Sequence, residues 1–149
     1  MPRVNLVNPL ILADQHLVAE RLELTFVLSS ARRSLASRNG LSVGEKYVLG
    51  KGHILFFHDK VGYLARRFRM LTKEMQRRGM KPSMLWPDDS WAPDSMYKDY
   101  RPTAADKKVV MKQLKERLLM KPSWYRYTYE PGKTIQINKA WIKEYYGNG

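Results

Sequence analysis

Apolar residues recur at helical spacing in three stretches of this chain and lose that rhythm between them. From Asp14 to about Ser37, residues Leu17, Leu24, Leu28, Ala31 and Leu35 fall on one side of a helix. Asp14 is an acceptable N-cap for it. A second run, from about His53 to Arg78, spaces Ile54, Phe57, Val61, Leu64, Phe68, Leu71 and Met75 at alternating steps of three and four. That is the seam of a helical bundle. Arg66, Arg67, Arg69, Lys73, Arg77 and Arg78 fill the remaining surface of this run, and Gly79 is a good stop. A third helix is predicted from Thr103 to about Met120. It opens on "TAAD", a capping box with Asp in place of Glu, and lines Val110, Leu114 and Leu118 on one face. The tail "NKAWIKEYYGNG" predicts a short final helix.

The stretches between these runs read as ordered loops. "SRNGLSVGEKYVLGKG" holds four glycines. Residues 80–102 are rich in Pro, Asp and Trp with no sustained period. Leaving Trp86 and Trp91 free in water would be costly, so both are assigned to packing within that loop. There is no internal repeat and no linker long enough to separate domains. The expectation is an all-α, single compact domain of three main helices with long ordered loops, spanning residues 1–149.

Charge narrows the class of partner. Lys and Arg total 27 against 14 Asp and Glu, a formal net charge of +13 over 149 residues. That exceeds what solubility needs and points to a polyanion. Nucleic acid comes first, and an anionic membrane surface second. No apolar run approaches the roughly 20 residues of a bilayer span, and the basic start is not followed by the apolar core of a signal peptide. Cysteine is absent, which removes disulfides and thiolate metal sites and suits the cytoplasm. The three histidines have no zinc-site spacing. The reading is therefore metal-free and cofactor-free.

The chain tip carries more pattern than a fraying terminus requires. "PRVNL" stands at the tip and "LADQHL", followed by Ala19, Glu20, Glu23 and Leu24, in the first helix. "LGKGHILFFHDK" enters the second helix, and "KPSWYRY" follows the third. In that order these motifs resemble the pyrimidine-dimer DNA glycosylases with AP-lyase activity, the phage endonuclease V type of ultraviolet repair. The resemblance runs from residue 1 to about residue 127 and is strongest over 3–24 and 49–60. Residues 130–149 form an extension outside it.

The resemblance implies an N-terminal tail that reaches the active site. Removal of Met1 frees the amine of the next residue, which attacks the sugar carbon bearing the damaged base. The base departs, a Schiff base forms with the opened sugar, and β-elimination nicks the strand. An α-amine suits this role, because its pKa of about 7.7–8.0 leaves a neutral fraction near pH 7 that a lysine lacks. Pro2 is then the nucleophile and Glu23 the essential carboxylate, which handles protons and stabilises positive charge on the sugar. Arg3 and His16 map onto residues near the reacting sugar and its phosphates. Lys121, Trp124, Tyr125, Arg126 and Tyr127 map onto the segment used near the lesion, and their alternation suits base stacking with backbone neutralisation. Double-stranded DNA is the implied partner, and a monomer working in a bacterial or phage-infected cell, at the nucleoid, is the implied setting.

Two departures carry information. Pro2 replaces the usual Thr, so the freed amine is secondary and condenses to an iminium that keeps its positive charge. Leu22 and Phe26 stand where the family commonly has arginines. They are spaced to share a helix face with Ala19 and Glu23. Burial against them raises the expected pKa of Glu23 and favours an acid role, and Phe26 suits an apolar wedge between base steps. Arg21, Arg32 and Arg33 are the candidates to replace the lost phosphate contacts. Taken alone, Glu23 would be an ordinary surface carboxylate and His16 a helix-start residue. His53 and His58 are read as packing groups. Two alternatives stay open: an enzyme of the same fold acting on a different or hypermodified base, and a basic DNA-binding protein without catalysis.

Overall fold

Three of the four helices stand where the apolar spacing predicts them. In the computed structural model, which describes residues 3–147, α1 spans Asp14–Ala36, α2 Val61–Arg77, α3 Ala104–Met120 and α4 Lys139–Tyr146. One expected N-cap forms, at Thr103, whereas Asp14 is the first residue of α1 and turns its carboxylate to Arg78 and Thr128 instead of capping the helix. The Thr103 side chain accepts from the Asp106 N–H at 3.0 Å, and Asn138 accepts from the Trp141 N–H at 2.9 Å. Gly79, with φ +87°, ends α2 in a Schellman motif. There Met80 N–H bonds to Met75 C=O, and Gly79 N–H to Gln76 C=O.

Two expectations need correction. First, α2 begins at Val61 instead of near His53. Residues 55–57 wind as a 3₁₀ turn, and the glycines before it, Gly50 and Gly52, hold positive φ. His53 and His58 spend their side chains on the carbonyls of Val48 and Ser42, which holds this segment in loop form. Second, the molecule is mostly helical, compatible with the all-α expectation, but adds a small two-stranded sheet that the apolar spacing does not predict. Arg126–Glu130 (β1) and Lys133–Gln136 (β2) pair as an antiparallel hairpin. Gly132 turns it at φ +77°, and Tyr127 faces Ile135 while Thr128 faces Thr134. The aromatic and β-branched residues of "YRYTYE" and "KTI" favour this.

The chain divides into two compact units. The first comprises Met1–Val4, Glu20–Met70 and Ser83–Arg101. Its core gathers Leu28, Ala31, Val61, Ala92 and Met96, with Trp86 and Trp91 packed against them as the loop composition predicts. Gly62 is required there, because a Cβ would sit 2.5 Å from the Tyr97 carbonyl oxygen. Arg67 is fully buried rather than part of the α2 surface, and it forks onto Glu20 at 2.8 and 3.0 Å.

The second unit comprises Asn5–Ala19, Leu71–Pro82 and Pro102–Gly149. Val110, Leu114 and Leu118 are buried on α3, and Trp141, Ile142 and Tyr146 on α4. Arg78, also expected on the surface, is buried. Its Nε donates to Glu74 at 2.7 Å, its Nη1 to Asp14 at 2.8 Å and its Nη2 to the Pro9 carbonyl at 3.1 Å. Leu6 sits at φ +57° in a three-residue turn closed by Val7 N–H on Asn5 C=O. A non-glycine residue held there costs on the order of 1–3 kcal/mol of backbone strain.

Candidate active site

In the first unit, α1 turns one face to solvent. Leu22 and Phe26 are 44% and 48% exposed, and Glu23 lies half-buried with them. The Arg3 backbone N–H donates to the Glu23 carboxylate. Burial pushes the Glu23 carboxyl above the ordinary glutamate range, with the Glu20 charge adding to the rise and the Arg3 hydrogen bond and charge opposing it. A carboxyl poised this way holds a proton more readily than a solvated one. Pro2, the expected nucleophile, lies outside the described residues.

The basic residues of α1 divide. Arg32 and Arg33 are exposed, with the Arg32 guanidinium 5.6 Å from the Trp91 ring centre. Arg21 is not available to a phosphate as expected. It is buried, donates through Nη2 to the Met84 carbonyl at 2.5 Å and lies 4.2 Å over the Phe68 ring. Its guanidinium ties the 83–101 loop to α1.

In the second unit, the "ADQH" motif organises the aromatic segment after α3. Asp14 accepts from Thr128 N–H at 3.0 Å and from its hydroxyl at 2.6 Å. Gln15 brackets Tyr125, donating to the Trp124 carbonyl at 2.7 Å and accepting from Arg126 N–H at 3.0 Å. His16 packs its ring 4.8 Å from that of Tyr125. Burial, reinforced by the Arg117 charge, lowers the His16 pKa to about 4. Its Nδ1 is buried and, among the described residues, without a hydrogen-bond partner.

Trp124 is 59% exposed, and Lys121 and Arg126 also face solvent. Arg117, Met120, Lys121, Trp124 and Tyr125 line a cavity of about 290 Å³. Tyr127 departs from the expected stacking role. It is 2% exposed, donates its hydroxyl to the Leu10 carbonyl at 2.8 Å and packs on Trp141 and Tyr145. It lies in β1, where Arg126 is exposed while Tyr127 and Thr128 are both buried.

Sequence reasoning passed over Gln15, Arg117, Tyr47 and the use of His53. Gln15 lies inside the "ADQH" motif, which by itself assigns it no role. Arg117 sits one helical turn before Lys121, and that spacing was the available signal. His53 and Tyr47, which hydrogen-bond to the Val4 backbone, come from a loop that has no periodic pattern. Among the described residues, no group of three His, Cys, Asp or Glu could hold a metal ion. No described helix is long and apolar enough to cross a membrane.

The tip, α1 and the glycine-rich entry to α2 also carry the comparison with known families. The profile described as pyrimidine dimer DNA glycosylase matches residues 1–88. The match ends before α3, so "KPSWYRY", the hairpin and α4 lie beyond it. It covers more than half of the chain and includes Arg3, His16 and Glu23, and the chain accordingly belongs to the pyrimidine dimer DNA glycosylase family, enzymes of DNA repair that act on DNA.

Proposed function

We propose that this protein excises a damaged pyrimidine, the cyclobutane dimer, from duplex DNA through its N-terminal amine and then nicks the strand. The observation that carries this reading is the hydrogen bond from the Arg3 backbone N–H to the Glu23 carboxylate. Arg3 nitrogen is bonded directly to the residue whose amine is the nucleophile, so the carboxylate is anchored at the chain tip. The Pro2 nitrogen attacks C1′ while the base departs with the electrons of the glycosidic bond. Glu23, held toward its protonated form by burial, supplies a proton as the sugar ring opens. The resulting iminium is positively charged and acts as the electron sink. Loss of a C2′ proton then expels the 3′ phosphate.

DNA contacts are assigned to Arg3, Leu22, Phe26, Arg32 and Arg33, and to His16, Lys121, Trp124, Tyr125 and Arg126. A neutral His16 offers hydrogen bonding and stacking to DNA and no charge. The exposed apolar pair Leu22 and Phe26 beside Glu23 favours a second reading in the same class, a glycosylase for a different or hypermodified base.

Borohydride trapping tests both readings. Duplexes carrying either a cyclobutane dimer or an abasic site are incubated with the enzyme and reductant, and the adduct is mapped by mass spectrometry. The expected result is a covalent complex with both duplexes at Pro2. Trapping on the abasic duplex alone moves the assignment to another base. An adduct on an internal lysine removes Pro2 from the mechanism.

A further inference from the structure

A nucleophile at a chain end poses a physical problem. Termini fray, whereas attack on C1′ needs reacting atoms about 3–3.5 Å apart in a set orientation. The first unit contains a device that addresses this, built from side chains to which the reaction assigns no role. Val4 is completely buried, and neither of its backbone polar groups is used in a helix or strand. Its N–H donates to His53 Nε2 at 2.9 Å, and its carbonyl accepts from the Tyr47 hydroxyl at 2.9 Å. One residue earlier, Arg3 N–H meets Glu23.

The partners settle the state of His53. Its Nδ1 lies 2.7 Å from the Val48 carbonyl oxygen, which can only accept, so Nδ1 carries the proton. The Val4 N–H can only donate, so Nε2 presents a lone pair. One tautomer of neutral imidazole satisfies both, and an imidazolium would set N–H against N–H. Burial independently disfavours the charged form. Tyr47 stands edge-on to the His53 ring at 5.2 Å and to Phe57 at 5.9 Å, which fixes where its hydroxyl points.

We propose that His53 and Tyr47 are positioning residues that grip the N-terminal arm by the two backbone polar groups of Val4 and so aim the terminal amine beside the Glu23 carboxylate. The proposal rests on the amine being the nucleophile.

The test uses the full-length protein and three substitutions. Tyr47→Phe deletes one hydroxyl, His53→Leu removes both ring nitrogens, and His53→Gln keeps a donor and an acceptor. Two readouts are taken: amide hydrogen exchange at Val4, with mid-α1 amides as the internal control, and the single-turnover rate of borohydride trapping at saturating abasic duplex. Tyr47→Phe and His53→Leu are expected to speed Val4 exchange and to slow trapping by about tenfold or more, the scale of a mispositioned reactant. Duplex affinity should change by less than about twofold, since neither substituted side chain is assigned to phosphate and every assigned cation, Arg3 included, is retained. His53→Gln should recover most of the rate. A purely structural role would not separate rate from affinity or give this rescue.

Val4 exchange at the wild-type rate in Tyr47→Phe shows that no grip exists. Faster Val4 exchange with unchanged trapping shows that the grip does not aim the amine. Both outcomes overturn the proposal, and Tyr47→Phe carries the test if His53→Leu does not fold. Because amide exchange needs no chemistry, it reports the grip independently of the nucleophile. An adduct on an internal lysine overturns the parent reading and the aiming role with it, whatever the exchange shows.

Discussion

The inner and outer faces of α1 carry two carboxylates three residues apart, Glu20 and Glu23, in opposite circumstances. Glu20 is 1% exposed and grips Arg67 through both oxygens. Glu23 is half-buried between two exposed apolar side chains and accepts from a backbone N–H at the chain tip. The inner carboxylate has its charge matched by a guanidinium fork, a geometry that holds structure and leaves little for chemistry. The outer one accepts from the Arg3 backbone N–H, and burial pushes it toward its neutral form. Identical residue types one helical turn apart thus meet opposite electrostatic surroundings according to which way the helix faces.

Removing one partner of the inner pair is the strongest way to break this comparison. Arg67→Met leaves Glu20 buried without its counter-charge and should cost about 3–5 kcal/mol of unfolding free energy in urea titrations. The double replacement Glu20→Met with Arg67→Leu should recover most of that loss. If Glu23→Gln proves equally costly, the division of labour along α1 is wrong.

Catalysis sharpens the outer half. Glu23→Gln keeps size and removes charge, so base excision should drop by at least about a hundredfold, the scale of a positioned acid–base group. Stability should move by less than about 1 kcal/mol, as at other solvent-facing positions. Imine trapping on a preformed abasic site should persist to some extent, because the aldehyde is already present. Full excision by this variant would remove the carboxylate from the mechanism.

Acidity separates the groups by sign. His16 has its folded pKa lowered to about 4, so its contribution to stability is complete above its ordinary pKa of 6.5 and is lost as pH falls toward 4. His16→Gln should flatten that acid-side loss in thermal melts. Glu23 has its folded pKa raised, so its contribution is present below the ordinary glutamate pKa and disappears as pH rises through the folded value. Glu23→Gln should therefore gain stability relative to wild type on going from pH 4 to pH 7. An NMR titration placing His16 near 6.5 would contradict the burial seen beside Tyr125 and Arg117.

Salt dependence gives the smallest changes. Neutralising roughly five to eight phosphates predicts a log–log slope of about −4 to −7 for duplex binding. Leu22→Arg and Phe26→Arg should each steepen it by about 0.9 and tighten dimer-containing duplex a few-fold. If these changes instead damage excision and leave dimer binding unaltered, the apolar pair lines a site for another base. A nearly flat slope in the wild type would contradict DNA as the substrate.

Sequence alone determined the helices of this protein wherever a local rule governs them. The period of Leu17, Leu24 and Leu28 places α1, the Thr103 cap starts α3, and Gly79 stops α2, because spacing, caps and positive-φ glycines act within one or two turns. Ordered motifs likewise identified the family. Tertiary structure decided everything that depends on a partner far along the chain. Arg67 and Arg78 look like surface arginines in the helical pattern, and they are buried because Glu20, Glu74 and Asp14 meet them inside. Tyr127 and Trp124 share one aromatic run, yet the unforeseen β1 sends one inward and leaves the other in solvent. His53 holds Val4 across 49 positions of sequence. No periodicity encodes such a contact, because it is the folded chain that brings the imidazole lone pair to a buried backbone N–H.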